Sequence, residues 1–223
     1  MITKSNGRLA RIQLMNTAMI PHLSSSRCIL AFVFVFVLAG VSRAQMEAGF
    51  LGKRYAGVSL FTEELRHENI SNGYGTEFNG TLPLNSFLDA TVRASYEKFN
   101  DYSISDRRVG GSLIGYADMD MWKPFIEVSV ANTAQSSTVG GIKYSSSDGY
   151  WSVGAGIEAP VTRSTAIFGL ATRNNYFDSK LDSYWTYKFG VNTWFTPKVG
   201  GVISISIFEG ESVTYSFGMT YRF

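Results

Sequence analysis

The sequence predicts an all-β fold, an antiparallel up-and-down transmembrane β-barrel of about ten strands, with eight or twelve strands as the alternatives. Three observations carry this. Period-two alternation recurs along most of the chain and no stretch shows a helical period. The runs reach the roughly 9–11 residues that a tilted spanning strand needs, whereas soluble strands average about five or six. The polar face of the runs is mostly Gly, Ser and Thr instead of the Lys and Glu that cover a soluble sheet.

Residues 1–44 read as an address. Lys4, Arg8, Arg11 and Arg27 are basic, and no acid precedes Glu47. An apolar run from Cys28 to Gly40 is followed by small residues at Ser42 and Ala44. This is the pattern of a secretory signal peptide with cleavage after Ala44, and the run is shorter than the roughly 18 residues of a spanning helix. Residues 45–223 then form one barrel domain. The leader holds five of the 20 bases and none of the 18 acids, so the remaining chain carries 15 bases against 18 acids. The overall basic balance is therefore a property of the leader, and it gives no argument for nucleic-acid binding. The only cysteine, Cys28, also lies in the leader, which excludes a disulfide or a cysteine metal site in the domain.

Five runs alternate clearly. In "SVTYSFGMTYRF", Val213, Tyr215, Phe217, Met219, Tyr221 and Phe223 share one face. Ile203, Ile205 and Ile207 do so in "VGGVISISIF". Trp185, Tyr187, Phe189, Val191 and Phe195 line up in "YWTYKFGVNTWF". Trp151, Val153, Ala155 and Ile157 do the same from residue 150, and Leu88, Ala90, Val92, Ala94 and Tyr96 from residue 88. Weaker strands are predicted at 53–62, 73–84, 105–116, 123–136 and 165–177. The one at 105–116 has no clear phase. Connections alternate between longer polar segments, centred near Arg66 and Ser146, and tight turns such as those at Pro83–Phe87 and Pro197. Ten strands place both ends of the domain on the tight-turn side, the plan of barrels with short periplasmic turns and longer outer loops.

If the apolar face meets lipid, the polar face lines a lumen. Its charges are then Glu77, Asp89, Arg93, Glu97, Lys123, Glu127, Glu158, Arg173, Lys188 and Arg222, five acids and five bases. A balanced set predicts a paired network filling a narrow interior instead of a wide selective pore. Large aromatics at strand ends predict two interfacial girdles: Trp151, Tyr176, Trp185 and Phe208 at the long-loop end, Phe195 and Trp122 at the other, with Tyr221 and Phe223.

With its leader, its amphipathic strands and its terminal "YSFGMTYRF", the chain resembles the small Gram-negative outer-membrane β-barrels, the group of opacity-type proteins and OmpA-like barrels. The resemblance covers residues 45–223. It implies that Tyr215, Phe217, Met219, Tyr221 and Phe223 are read by the outer-membrane insertion machinery, and that the other partner is outer-membrane lipid. It implies nothing definite about activity, because this fold hosts pores, adhesins, enzymes and structural proteins.

Chemical motifs are sparse. His67, beside Glu64 and Glu68, is the only histidine outside the leader, and its setting reads as a solvated loop. "GAGIEA" from Gly154 matches a dinucleotide pattern loosely but lies inside a strand and runs into Pro160. Asp118 and Asp120 sit in a turn with too few oxygen ligands for a metal. No cofactor, metal, catalytic residue or nucleic-acid surface is expected. The leading function is a structural or surface-interaction barrel whose outward loops meet a ligand of unknown identity. A narrow passive channel and a surface enzyme using His67 are the alternatives.

Overall fold

The computed structural model describes residues 48–65, 72–99, 104–119, 121–139, 142–178, 181–210 and 212–223. The expected leader, His67 and the segment around Arg66 lie outside them. Ten strands follow in order: β1 (Tyr55–Leu65), β2 (Gly73–Asn85), β3 (Leu88–Phe99), β4 (Ser105–Tyr116), β5 (Lys123–Val139), β6 (Ile142–Pro160), β7 (Thr165–Tyr176), β8 (Tyr184–Trp194), β9 (Val199–Phe208) and β10 (Ser212–Arg222). Each pairs antiparallel with its neighbours, and β1 closes the cylinder on β10. Closure removes every sheet edge along the wall, the condition for a sheet to sit in hydrocarbon.

The two faces settle the orientation. Among the described residues four apolar side chains are buried, Ile114, Phe125, Ala166 and Trp194, against twenty polar or charged ones. The large apolar residues lie outside: Leu60 is 61% exposed, Val92 67% and Ile126 59%. In water such a surface would be an aggregation site, and in a bilayer it is the required solvent contact. On β10 the apolar face of Tyr215, Phe217, Met219 and Tyr221 points out, and Ser212, Gly218 and Thr220 are buried inward.

Tight turns at one end are locked by side-chain oxygens. Asn85 Oδ1 accepts the Phe87 amide at 2.9 Å. Thr162 Oγ1 accepts the amides of Ser164 and Thr165, and Thr196 Oγ1 those of Lys198 and Val199. Such local bonds give the chain a reason to reverse at once after each strand. We call this the inner end, and the opposite end the outer end.

Two expectations change. The stretch around Ser146, read as a long loop from its Ser and Gly content, is a hairpin: β5 and β6 stay in register from Lys123↔Glu158 to Val139↔Ile142. The β4 ladder stops at Ser136 and the β7 ladder at Tyr150, so the hairpin stands beyond the barrel wall. Strand β7 has the opposite phase to the one expected. Val153 on β6 and Trp185 on β8 both point outward and both lie opposite Arg173, so Arg173 points outward too. Its guanidinium stacks over the Trp185 ring at 5.6 Å and bonds to Ser183. Tyr176 then points into the lumen, and so does Phe208, which pairs with inward Thr186. The apolar inward residues Phe168 and Leu170 produced the misreading, because a lumen face was expected to be polar.

Candidate functional site

The lumen is built in three tiers, which follow from strand order. At the inner end, residues 48–54 fold back into the barrel mouth as a plug. Gly49 and Gly52 have φ of 87° and 78°, the left-handed region that glycine enters without strain. The bends aim three successive amides at two carboxylates: Phe50 N lies 2.8 Å and Leu51 N 3.4 Å from Glu158, and Gly52 N lies 2.9 Å from Asp89. A Cβ on Gly49 would collide with the Glu158 carboxylate. Asn192 donates to Glu158 at 3.0 Å and the Tyr116 hydroxyl to Asp89 at 3.4 Å. The Trp194 indole donates to the Gly49 carbonyl at 2.8 Å, and its ring meets Phe50 edge-on and Lys53 in a cation–π contact. Lys53 Nζ also bonds the carbonyls of Ala48 and Gly49. Asp89 is 0% and Glu158 4% exposed, and both accept from main-chain amides of the plug and from a neutral side chain of the wall.

The middle tier mixes charge and hydrocarbon. Arg93 on β3 binds Glu127 on β5 at 2.9 Å. Glu77 projects inward from β2, and Lys188 from β8 on another part of the wall. Beside them lie Ile114, Phe125, Phe168, Leu170 and Val202, and the plug residues Phe50 and Leu51. Together they line a partly open cavity of about 150 Å³. Cross-strand hydroxyl pairs stitch the wall: Thr91–Ser112 at 2.5 Å, Ser129–Ser152 at 2.6 Å and Ser204–Ser216 at 2.6 Å. Two glycines are seats for rings. A Cβ on Gly156 would meet the Phe125 ring, and one on Gly190 the Phe168 ring.

The outer tier is divided. On β1, β3 and β4 stand Glu63, Glu97, Asp106 and Arg108. Arg108 grips Asp106 at 3.0 Å and reaches Glu97 at 3.9 Å, and the Thr133 hydroxyl donates to Asp106 at 2.6 Å. On β6 to β9 stands an aromatic arc, Tyr150, Tyr176, Tyr184 and Phe208, with successive ring centroids 6.1, 6.0 and 6.4 Å apart.

Of the residues expected to line the lumen, Glu77, Asp89, Arg93, Glu97, Glu127, Glu158 and Lys188 face it. Lys123 and Arg222 lie on the inward face at the inner rim, where Lys123 pairs with Asp118 at 3.1 Å. Arg173 is outside. Sequence reasoning missed Glu63, Asp106 and Arg108, so acids outnumber bases on the inward face of the strands instead of balancing them. It missed the plug altogether. Trp151 and Trp185 lie outward near the outer end, Trp122 in an inner-end turn, and Phe195 against Gly201 at that end. Tyr176 and Phe208 leave the girdle for the lumen-facing arc of the outer tier.

A closed cylinder with an apolar outer wall and a polar, partly filled lumen defines a small transmembrane β-barrel of the outer-membrane type. No family model matches the chain, and no curated protein matches it. Solved structures resemble it at low identity. Neisserial surface protein A is 14% identical, with 76% of this chain and 97% of that one covered and a TM-score of 0.44. The translocator domain of the autotransporter NalP from Neisseria meningitidis is 13% identical, with 89% and 98% covered and a TM-score of 0.43. An outer membrane channel from Pseudomonas putida F1 is 10% identical, with 82% and 100% covered and a TM-score of 0.43.

Proposed function

We propose that this chain is an outer-membrane barrel that does not conduct and acts through its outward end, as a structural or surface-interaction protein. The plug is the observation that carries this reading. Residues 48–54 occupy the inner mouth, and Glu158, Asp89 and Trp194 hold them there. A ten-stranded barrel has an interior little wider than its side chains fill, so one strap is enough to block it. The β5–β6 hairpin supports the second half of the reading. It lifts Ile142, Lys143 and Tyr144 clear of the wall, all exposed, and gives a ligand something to meet. The partners in this reading are outer-membrane lipid, the insertion machinery that takes up the terminal strand, and a surface ligand. No catalytic step is assigned.

Planar-bilayer recording of the purified barrel, residues 45–223, tests it. The expected trace has no stable steps at moderate voltage. Large, long-lived conductance steps would replace this reading with the passive channel.

A further inference from the structure

The middle tier holds a cavity that neither a blocked barrel nor an outward contact surface requires. We propose that it is a binding site for a small zwitterion with an apolar side group, of the size and chemistry of an apolar α-amino acid.

The cavity has the right volume. A void of about 150 Å³ holds a ligand of roughly the size of benzene, so the larger leucine would fill it and extend into its open side. Its wall asks for both charges. Five charged side chains line it: Glu158 is held by the plug amides and Asn192, and Arg93 and Glu127 are paired with each other at 2.9 Å. Lys188 and Glu77 make no ion pair or hydrogen bond among the described residues. They stand on strands β8 and β2, separated on the shorter way round the wall by β9, β10 and β1. An ammonium at Glu77 and a carboxylate at Lys188 would satisfy both across that gap. A lone anion or cation would leave one of them unmatched.

The side chains of Asn79 and Asn192 and several Ser and Thr residues add neutral polar groups to the wall. Part of the wall is hydrocarbon. Phe125, Phe168 and Leu170, with Phe50 and Leu51 of the plug, offer an apolar patch that a purely polar solute could not use. Counting along β8 from the plug, the inward residues run Trp194, Asn192, Gly190, Lys188, Thr186 and Tyr184, so the site lies between the strap and the aromatic arc.

Isothermal titration calorimetry in a maltoside detergent, which carries no zwitterionic headgroup, tests the proposal with L-leucine. Three controls each lack one element: 4-methylpentanoate the ammonium, isoamylamine the carboxylate, and glycine the side group. Leucine should bind saturably at one per barrel, and each control at least about tenfold more weakly. Lys188→Met and Glu77→Gln should each weaken leucine by about tenfold or more, with the folded barrel's gel mobility unchanged. Leu170→Trp, which fills the void and leaves every charge in place, should abolish binding. The proposal is overturned by the absence of saturable heat up to about 10 mM leucine. It is equally overturned by a control that binds as well as leucine, by Leu170→Trp binding normally, or by Lys188→Met and Glu77→Gln binding as the parent does.

Discussion

Removing the acids that hold the plug should open the inner mouth, and the size of the effect can be worked from the bonds. Glu158 accepts the Phe50 amide at 2.8 Å and the Leu51 amide at 3.4 Å. A hydrogen bond to a charged group contributes about 1.5–3 kcal/mol, and the longer of the two lies beyond the strong range. Glu158→Ala should therefore weaken plug docking by about 2–4 kcal/mol, a shift of roughly 30- to 1,000-fold in the docking equilibrium. Asp89 still holds the Gly52 amide at 2.9 Å and Trp194 the Gly49 carbonyl at 2.8 Å, so the single variant should flicker instead of standing open. Adding Asp89→Ala removes the second acid and should release the strap. The domain has no cysteine of its own, so a thiol placed by Leu51→Cys reports on the plug alone. Its labelling rate with a polar thiol reagent follows the undocked population when docking is fast. The rate should rise at least about thirtyfold in Glu158→Ala and further in the double variant. Equal rates in all three proteins, with the barrel folded, would refute the claim that these carboxylates hold the plug.

Other outcomes follow from the wall and the lumen. Arg93→Ala leaves Glu127 in the lumen without its 2.9 Å partner; because the Arg93 side chain is 43% exposed, the loss should be about 1–3 kcal/mol, below the 3–5 of a fully buried pair, and the double variant with Glu127→Ala should recover part of it in urea titrations in lipid vesicles. Phe217→Arg puts a cation on the lipid face opposite Leu60 and should cost about 2–4 kcal/mol by the same titration, whereas Ser216→Arg, one residue away on the lumen side, should cost clearly less. Gly156→Val drives a side chain into the seat of the Phe125 ring and should destabilise by about 1–3 kcal/mol, with a larger loss than Gly169→Val, whose added Cβ meets Phe189 only at ordinary contact distance.

The strands were legible because lipid enforces one rule along a whole face. On β10 every outward residue from Val213 to Tyr221 is apolar, and no lumen demand can alter that. On β4 the signal fails for a physical reason: Gly110 and Gly111 fall on opposite faces and carry no polarity, and Arg107 and Arg108 are adjacent. Arg108 turns in to Asp106, while Arg107 turns out over the Tyr96 ring at 5.9 Å. On β7 the lumen itself is apolar at Phe168 and Leu170, so alternation pointed the wrong way. Composition hid the β5–β6 hairpin, since Ser and Gly mark loops more often than ladders. The plug was invisible because it has no period. Its only trace is Gly49 and Gly52 bracketing Phe50 and Leu51, a pattern too short to separate from any other turn.

The plug and the cavity have one cause. The lumen face of β6 carries Ser152, Gly154 and Gly156, and that of β9 Gly200, Val202 and Ser204, so the wall supplies little volume of its own. Rings from neighbouring strands fill part of the space by lying over those glycines, as Phe125 does over Gly156. The strap fills the inner mouth, and the Arg108 cluster with the aromatic arc crowds the outer one. Between them the wall gives out, and there Lys188 and Glu77 face the same void. If that void served only to keep the barrel round, apolar side chains at positions 77 and 188 would fill it and stabilise the fold. Two unpaired charges are the more expensive choice in a narrow lumen, and the ligand proposed for the site removes that cost.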